Sequence, residues 1–165
     1  MAFADLILYE EEYGEINKAI EKLYNLCNAK VVFLVDKNGQ LIAAHGDTEE
    51  LDTTSLASLT AGNIAATGGL AKLIGEKEFS ILFHEGENDH IHISIVGQRV
   101  ILVVIFNDKS ALGLVRLRVK QASDDLVRIF NRIEQKVQNN AGMIDTISSP
   151  FAEITDDDID NLFTE

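Results

Sequence analysis

Two runs of consecutive β-prone apolar residues constrain this chain more than any other feature. Val31-Val32-Phe33-Leu34-Val35 and Val100-Ile101-Leu102-Val103-Val104-Ile105-Phe106 contain no polar alternation. Successive side chains of a strand point to opposite faces, so a strand that is apolar throughout needs cover on both. These runs therefore predict neighbouring strands at the centre of a sheet with helices above and below. With 165 residues, 46% of them hydrophobic, the chain is long enough for one domain with a substantial core, plus a tail.

The remaining pattern fills in that sheet. From Ala4 to Leu26, apolar residues at Leu6, Tyr9, Tyr13, Ile16, Ile20, Leu23 and Leu26 recur at helical intervals. Asn28 offers a stop. After the first apolar run, Asp36-Lys37-Asn38-Gly39-Gln40 carries an Asn-Gly signal for a tight hairpin into Leu41–His45, because both residues tolerate positive φ. Asp52 or Thr53 can cap a second helix running to about Ile74 and ending at Gly75. Phe79, Ile81 and Phe83, then Ile91, Ile93 and Ile95, alternate as strands, and Gly97-Gln98-Arg99 joins them to Val100–Phe106. Ser110 is a candidate cap for a last helix reaching Val137. The predicted order is α-β-β-α-β-β-β-α, an α/β sandwich of the α+β type. Residues 1–138 form the domain, 139–149 a linker, and 150–165 an acidic C-terminal segment.

A net charge of −13 opposes nucleic-acid binding, because phosphate contact requires a positive surface. A basic or mixed-charge protein partner fits better. The single cysteine, Cys27, excludes an internal disulfide, and the N-terminus has no leader pattern, so a cytoplasmic location is expected. No apolar run approaches the roughly 18 residues of a membrane span.

The second helix has an unusual composition. Ala57, Ala61, Ala65 and Gly69 follow four-residue spacing, with Gly62, Ala66 and Gly68 alongside. Several glycines in one helix are costly, at about 1 kcal/mol each relative to alanine, which points to close backbone approach. The small face can lie on the chain's own sheet. Alternatively, Leu56, Leu59, Leu70, Leu73 and Ile74 cover the sheet and leave the small face for a second helix or a partner.

The stretches Asn28–Ile42, Asp52–Asn63, Gly68–Glu76, Phe83–Gly86 and Leu112–Arg118 together resemble the bacterial gliding-motility branch of the roadblock family, and the likeness covers nearly the whole chain. It implies a roadblock fold, in which a five-stranded antiparallel sheet carries one helix on one face and two on the other. It further implies a homodimer joined through Phe79–Glu85 and through the paired second helices. The implied partner is a Ras-like GTPase of the MglA type, whose GTP hydrolysis the dimer accelerates in a process of cell polarity and motility at a cell pole. Candidate contacts, to the GTPase or to the second protomer, are Ala61, Ala65, Ala66, Gly68, Gly69, Ala71, Lys72 and Leu73.

The chain's own chemistry is sparse. It has no Gly-x-x-x-x-Gly-Lys-Ser/Thr loop, and Gly68-Gly69-Leu70-Ala71-Lys72 falls inside a helix. GTP and Mg²⁺ are thus expected on the GTPase, with no cofactor here. Arg99 is the best-placed loop arginine, but an exposed turn residue is the simpler reading, and the resemblance implies reordering of the GTPase's switch regions rather than a supplied finger. His90 and His92 share a strand face without an evident third ligand, so they, His45 and His84 are read as exposed polar residues. Cys27 reads as a small buried residue, and Asp124-Asp125 as a solvated helix face rather than an acid pair. Arg116, Arg118 and Lys120 form a local basic patch. No catalytic residue and no metal site is assigned.

The C-terminal segment joins dense carboxylates to apolar anchors at Phe151, Ile154, Ile159, Leu162 and Phe163. Thr155 can cap a short helix whose first turn holds Asp156–Asp158. Such a segment is suited to docking on the GTPase as a second contact. Two other functional classes remain: a roadblock scaffold that holds a GTPase without stimulating it, and a small-molecule sensor, for which no convergent polar cluster is evident.

Overall fold

A computed structural model describes residues 10–147, with side chains through residue 141. Its elements are α1 (Glu10–Cys27), β1 (Val31–Asp36), β2 (Leu41–Gly46), α2 (Thr53–Leu73), β3 (Ile81–Glu85), β4 (His90–Val96), β5 (Val100–Phe106) and α3 (Leu112–Ile147). The five strands form one antiparallel sheet in the order β2-β1-β5-β4-β3. The two apolar strands, β1 and β5, pair from Val31↔Ile105 to Asp36↔Val100 at the centre, as their lack of alternation requires.

Alternate residues of these strands enter two separate cores. Val31, Phe33 and Val35 of β1, with Ile93, Ile101, Val103 and Ile105, pack under Ala57 of α2. Val32, Leu34, Val96, Leu102 and Val104 are also buried and have the opposite parity. Tyr24 of α1 meets His45 edge-on at 4.8 Å, and His45 pairs in register with Val32, which places α1 on that second face. Val127 of α3 lies 3.4 Å from where a Cβ on Gly97 would stand. Helices α1 and α3 supply Ile16, Ile20, Leu23, Val115, Val119 and Leu126 there.

Turn chemistry departs from expectation at one hairpin. Of the Asn-Gly pair between β1 and β2, only Gly39 has positive φ, at 91°. Asp36 accepts from the backbone N–H groups of Asn38 and Gln40, each at 2.9 Å, and the register slips between Leu34 and Val35. The carboxylate closes a longer, bulged turn in place of the tight one predicted. The two-residue geometry occurs instead at Gly97-Gln98, with φ of 59° and 61°.

The last helix also differs. The Val115 N–H donates to the Ala111 carbonyl at 3.0 Å, so Ala111 and not Ser110 holds the cap position, and the Ser110 hydroxyl is buried without a partner. The helix continues past Val137 to Ile147, through most of the stretch predicted as a linker. The absence of proline before Pro150 allows this, because loss of an apolar stripe does not by itself end a helix. Two compact units divide the chain, Met1–Ile129 and Phe130–Glu165. The first holds the sheet and the second the later part of α3, where Val137 is exposed.

Candidate functional site

Helix α2 is fixed at both ends. Asp52 accepts from the Ser55 N–H at 3.1 Å and from its hydroxyl at 2.6 Å, and these bonds, the hydroxyl's first, hold its carboxyl below the usual carboxylate value. At the other end Gly75 takes φ of 82°, while Glu76 N–H reaches the Ala71 carbonyl and Gly75 N–H that of Lys72. This is a Schellman closure of the helix. Between the ends, Gly39 of the β1–β2 turn approaches so closely that a Cβ there would lie 3.3 Å from Ser58 Cα.

The faces of α2 are opposite to one sequence reading. Ala57, Thr60 and Ala71 are buried, and Ala61, Ile64 and Gly68 are half-buried behind them, a set that follows three and four residue spacing along the sheet-facing side. Small residues therefore bring α2 close to its own sheet. The leucine stripe expected to cover the sheet lies mostly outside: Leu59 is 72% exposed, Leu70 58%, Leu73 84% and Ile74 69%, with Leu56 half-buried. The strand residues beneath are already large, so a helix of large residues would overfill the layer.

Of the sequence-derived candidates, Ala65, Ala66, Gly69, Lys72 and Leu73 are exposed, Ala61 and Gly68 are half-buried, and Ala71 is fully buried. Ala71 thus packs inward, away from the exposed side. The exposed side has a saddle profile, with Leu59 at one end, Leu70 and Leu73 at the other, and Gly62, Ala66 and Gly69 between. A Cβ added at Gly62, Gly68 or Gly69 would meet nothing within 4 Å, so the chain's own packing does not demand these glycines. Sequence reasoning found the small residues but missed Leu59, Leu70 and Ile74 as surface. The available signal was the angular position of each leucine relative to Ala57, Thr60 and Ala71.

Next to α2 stands an open sheet edge. Among the described residues strand β3 pairs with β4 alone, and its Ile81 is 53% exposed. Asn63 Nδ2 of α2 lies 3.0 Å from His84 Nε2 of β3, a hydrogen bond that joins the exposed helix to the edge strand. Backbone groups of the edge, apolar anchors and a small-residue saddle thus lie side by side. Such a surface suits another sheet edge and another helix.

The histidines correct the reading of an exposed polar face. His92 is fully buried, neither ring nitrogen has a partner, and burial, aided by the Arg116 charge, lowers its pKa. His90 lies half-buried against Phe106 and Phe83, with ring centroids at 5.3 and 6.0 Å, and His45 is half-buried against Tyr24. Only His84 is exposed as expected. No group of three His, Cys, Asp or Glu side chains able to hold a metal occurs among the described residues. Cys27 is buried, and desolvation, opposed by the Arg118 charge, pushes its thiol up to about 11, so almost no thiolate forms at neutral pH. Arg99 is exposed in the β4–β5 turn. Among the described residues no helix is long and apolar enough to cross a membrane. The anchors Phe151, Ile154, Ile159, Leu162 and Phe163 lie outside the described residues.

Comparison with known proteins agrees with this fold. No curated protein sequence matches the chain. The MglB structure from Myxococcus xanthus is 62% identical, covering 74% of this chain and 92% of that one, with a TM-score of 0.73. The gliding protein MglB of Thermus thermophilus is 33% identical over 72% of this chain and 90% of its own, with a TM-score of 0.68. A third MglB, described with a tetrameric arrangement, is 30% identical over 74% and 92%, with a TM-score of 0.70. The model of the Roadblock/LC7 domain matches residues 15–106, and the chain belongs to the Roadblock/LC7 family, where it is similar to the MglB proteins.

Proposed function

We propose that this protein is a homodimeric regulator that accelerates GTP hydrolysis by a Ras-like GTPase of the MglA type. The observation that carries this reading is the outward face of α2, where Leu59, Leu70, Leu73 and Ile74 are 58–84% exposed around a floor of alanine and glycine. Burying four such side chains is worth about 1.5–3 kcal/mol each before ordering costs, enough to support a specific protein contact. Two protomers join through β3 edges and adjacent α2 helices, and the combined helices form the platform for the GTPase. The similarity to MglB structures supports this arrangement.

The chain acts as a regulator, without a catalytic site of its own. GTP and Mg²⁺ are held by the GTPase, and acceleration comes from binding its hydrolysis-ready switch arrangement more tightly than its resting one. Arg99 supplies no finger. The tail anchors from Phe151 to Phe163 give a second contact on the GTPase. The pair works in the cytoplasm, at a cell pole, in polarity and motility.

Single-turnover GTP hydrolysis by the cognate GTPase tests the reading. The wild-type chain should accelerate the reaction, and Ala65→Arg, placed on the exposed side of α2, should abolish the effect without unfolding the chain. Arg99→Ala should retain most stimulation; a loss near the ~10³-fold scale of a missing finger would overturn the switch-ordering mechanism. GTP-dependent binding without acceleration would make the protein a scaffold.

A further inference from the structure

Asn38-Gly39 is the only Asn-Gly pair in the sequence, and such a pair has a chemistry of its own. Glycine has no Cβ to shield its backbone nitrogen. Once that nitrogen gives its proton to water, it can attack Cγ of the preceding asparagine. The Cγ–Nδ2 bond breaks, ammonia leaves with a proton returned by water, and a cyclic imide joins the two residues. Water then opens the imide at one carbonyl or the other, which gives aspartate or isoaspartate. Water is the only co-reactant, and heat-sensitive asparagines are lost in this way.

In the fold, Asn38 is exposed in the β1–β2 turn, but the attacking nitrogen is held. The Gly39 N–H donates to the Asp36 carbonyl at 3.0 Å, and the Asp36 N–H donates to the Gln40 carbonyl at 2.9 Å. The Asp36 carboxylate accepts from the N–H groups of Asn38 and Gln40, each at 2.9 Å. One residue thus anchors every hydrogen bond of the turn described here. Gly39 is also confined from the other side, because a Cβ there would lie 3.3 Å from Ser58 Cα and 3.6 Å from Ala61 Cβ. For attack, its nitrogen must leave the Asp36 carbonyl and turn toward the Asn38 side chain. The reaction therefore runs through an opened turn, and its rate falls with the fraction of time the turn is open.

We propose that Asn38 is a latent deamidation site kept closed by Asp36, and that its conversion to isoaspartate lifts the turn from α2. In isoaspartate the main chain runs through Cβ and Cγ, so it is one carbon longer, and a new carboxylate stands beside the turn. The close approach of Gly39 to Ser58 leaves no slack to absorb that carbon. The turn then loses its seat against Ala57, Ser58 and Ala61, and the first half of α2 loses a support. Asp36 accordingly has two duties, closing the hairpin and preserving the amide two residues on.

The test contains no GTPase, so it stands apart from the proposed activation. Full-length chain is aged in mildly alkaline buffer, native or in guanidinium chloride. Peptide mapping follows the amide-to-acid mass change at Asn38, and an isoaspartate-specific methyltransferase identifies the product. The native chain should deamidate there about tenfold or more slowly than the denatured one. Native Asp36→Ala should recover most of the denatured rate, and Asp36→Asn should lie between, because its amide oxygen still accepts N–H bonds. Urea midpoints show which variants are folded, and if Asp36→Ala is not, Asp36→Asn takes its place. Amide exchange should then be faster in the first half of α2, and unchanged in α3, in the isoaspartate form of a variant than in the same variant freshly prepared. Equal rates in the native and denatured wild-type chain, a folded Asp36 variant no faster than wild type, or unchanged exchange in α2 would each overturn the proposal.

Discussion

The two faces of the sheet solve the same packing problem in opposite ways. On the α1 and α3 side, large meets large: Ile20, Leu23 and Leu126 from the helices, all at or below 1% exposure, close over Leu34 and Leu102. On the α2 side, the strands again present large residues, but the helix answers with Ala57, Thr60, Ala61 and Ala71. Leu56 and Ile64 of α2 pack against that core, while Leu59, Leu70 and Leu73 point away from it. One side of the fold spends its aliphatic residues on stability, and the other holds them available for contact. A helix can therefore be strongly apolar and still be a surface.

The largest effect that separates the two sides is a truncation on each. Leu126→Ala should destabilise the fold by about 2–5 kcal/mol in urea denaturation, because it leaves a cavity in a packed layer. Leu73→Ala, at 84% exposure, should stay within about 0.5 kcal/mol at low protein concentration. Comparable losses for both would show that α2 buries its leucines, and the comparison would fail.

The sequence disclosed the strand order because β1 and β5 lack any polar alternation, and only a central position covered on both faces accommodates that. It disclosed α2 through Asp52 and Gly75, whose side chain and backbone freedom act locally. The facing of α2 was not legible. Alanine, glycine and leucine are all compatible with a core, and which of them turns inward depends on the volume left by Phe33, Ile101 and Val103, set by residues distant in sequence. His92 was misread for the same reason, since alternation fixes its side of β4 but not what covers that side. The end of α3 was missed because Gln138–Ile147 has neither a regular apolar stripe nor strong helix formers, with Asn139, Asn140 and Gly142 among its residues, yet the helix runs through it. Of the candidate site, the small residues were legible one by one, while the exposed leucines and the β3 edge required the fold.

A smaller effect distinguishes the sides by pH. Burial lowers the His92 pKa below its ordinary value of 6.5, so the unfolded chain binds its proton more readily than the folded one. Stability from keeping the ring neutral is complete above that value and declines as pH falls from about 6.5 through the lowered native value. Urea midpoints of the wild-type chain should drop on mild acidification, and His92→Leu should flatten that part of the profile. An unchanged profile in the variant would mean that the α1 and α3 side does not hold the imidazole dry. Because α2 covers the other face, Ala65→Arg should leave this pH dependence intact.

The smallest effect lies at the start of α2. With a lightly packed middle, that helix depends on its ends more than α3, which begins without a side-chain cap at Ala111. Asp52 titrates below its ordinary value of 3.8 because Ser55 bonds its ionised form, so its contribution is present above that value and is lost as pH falls through the lowered one. At neutral pH, Asp52→Ala should speed amide hydrogen exchange in the first turns of α2 while leaving α3 unchanged, and Asp52→Asn should preserve most protection because an amide oxygen still accepts from the Ser55 N–H. Equal acceleration in both helices would indicate that the cap supports the whole fold. Acceleration confined to α2 would show that the helix bearing the exposed leucines is secured at its termini, leaving its outer face free of any structural duty.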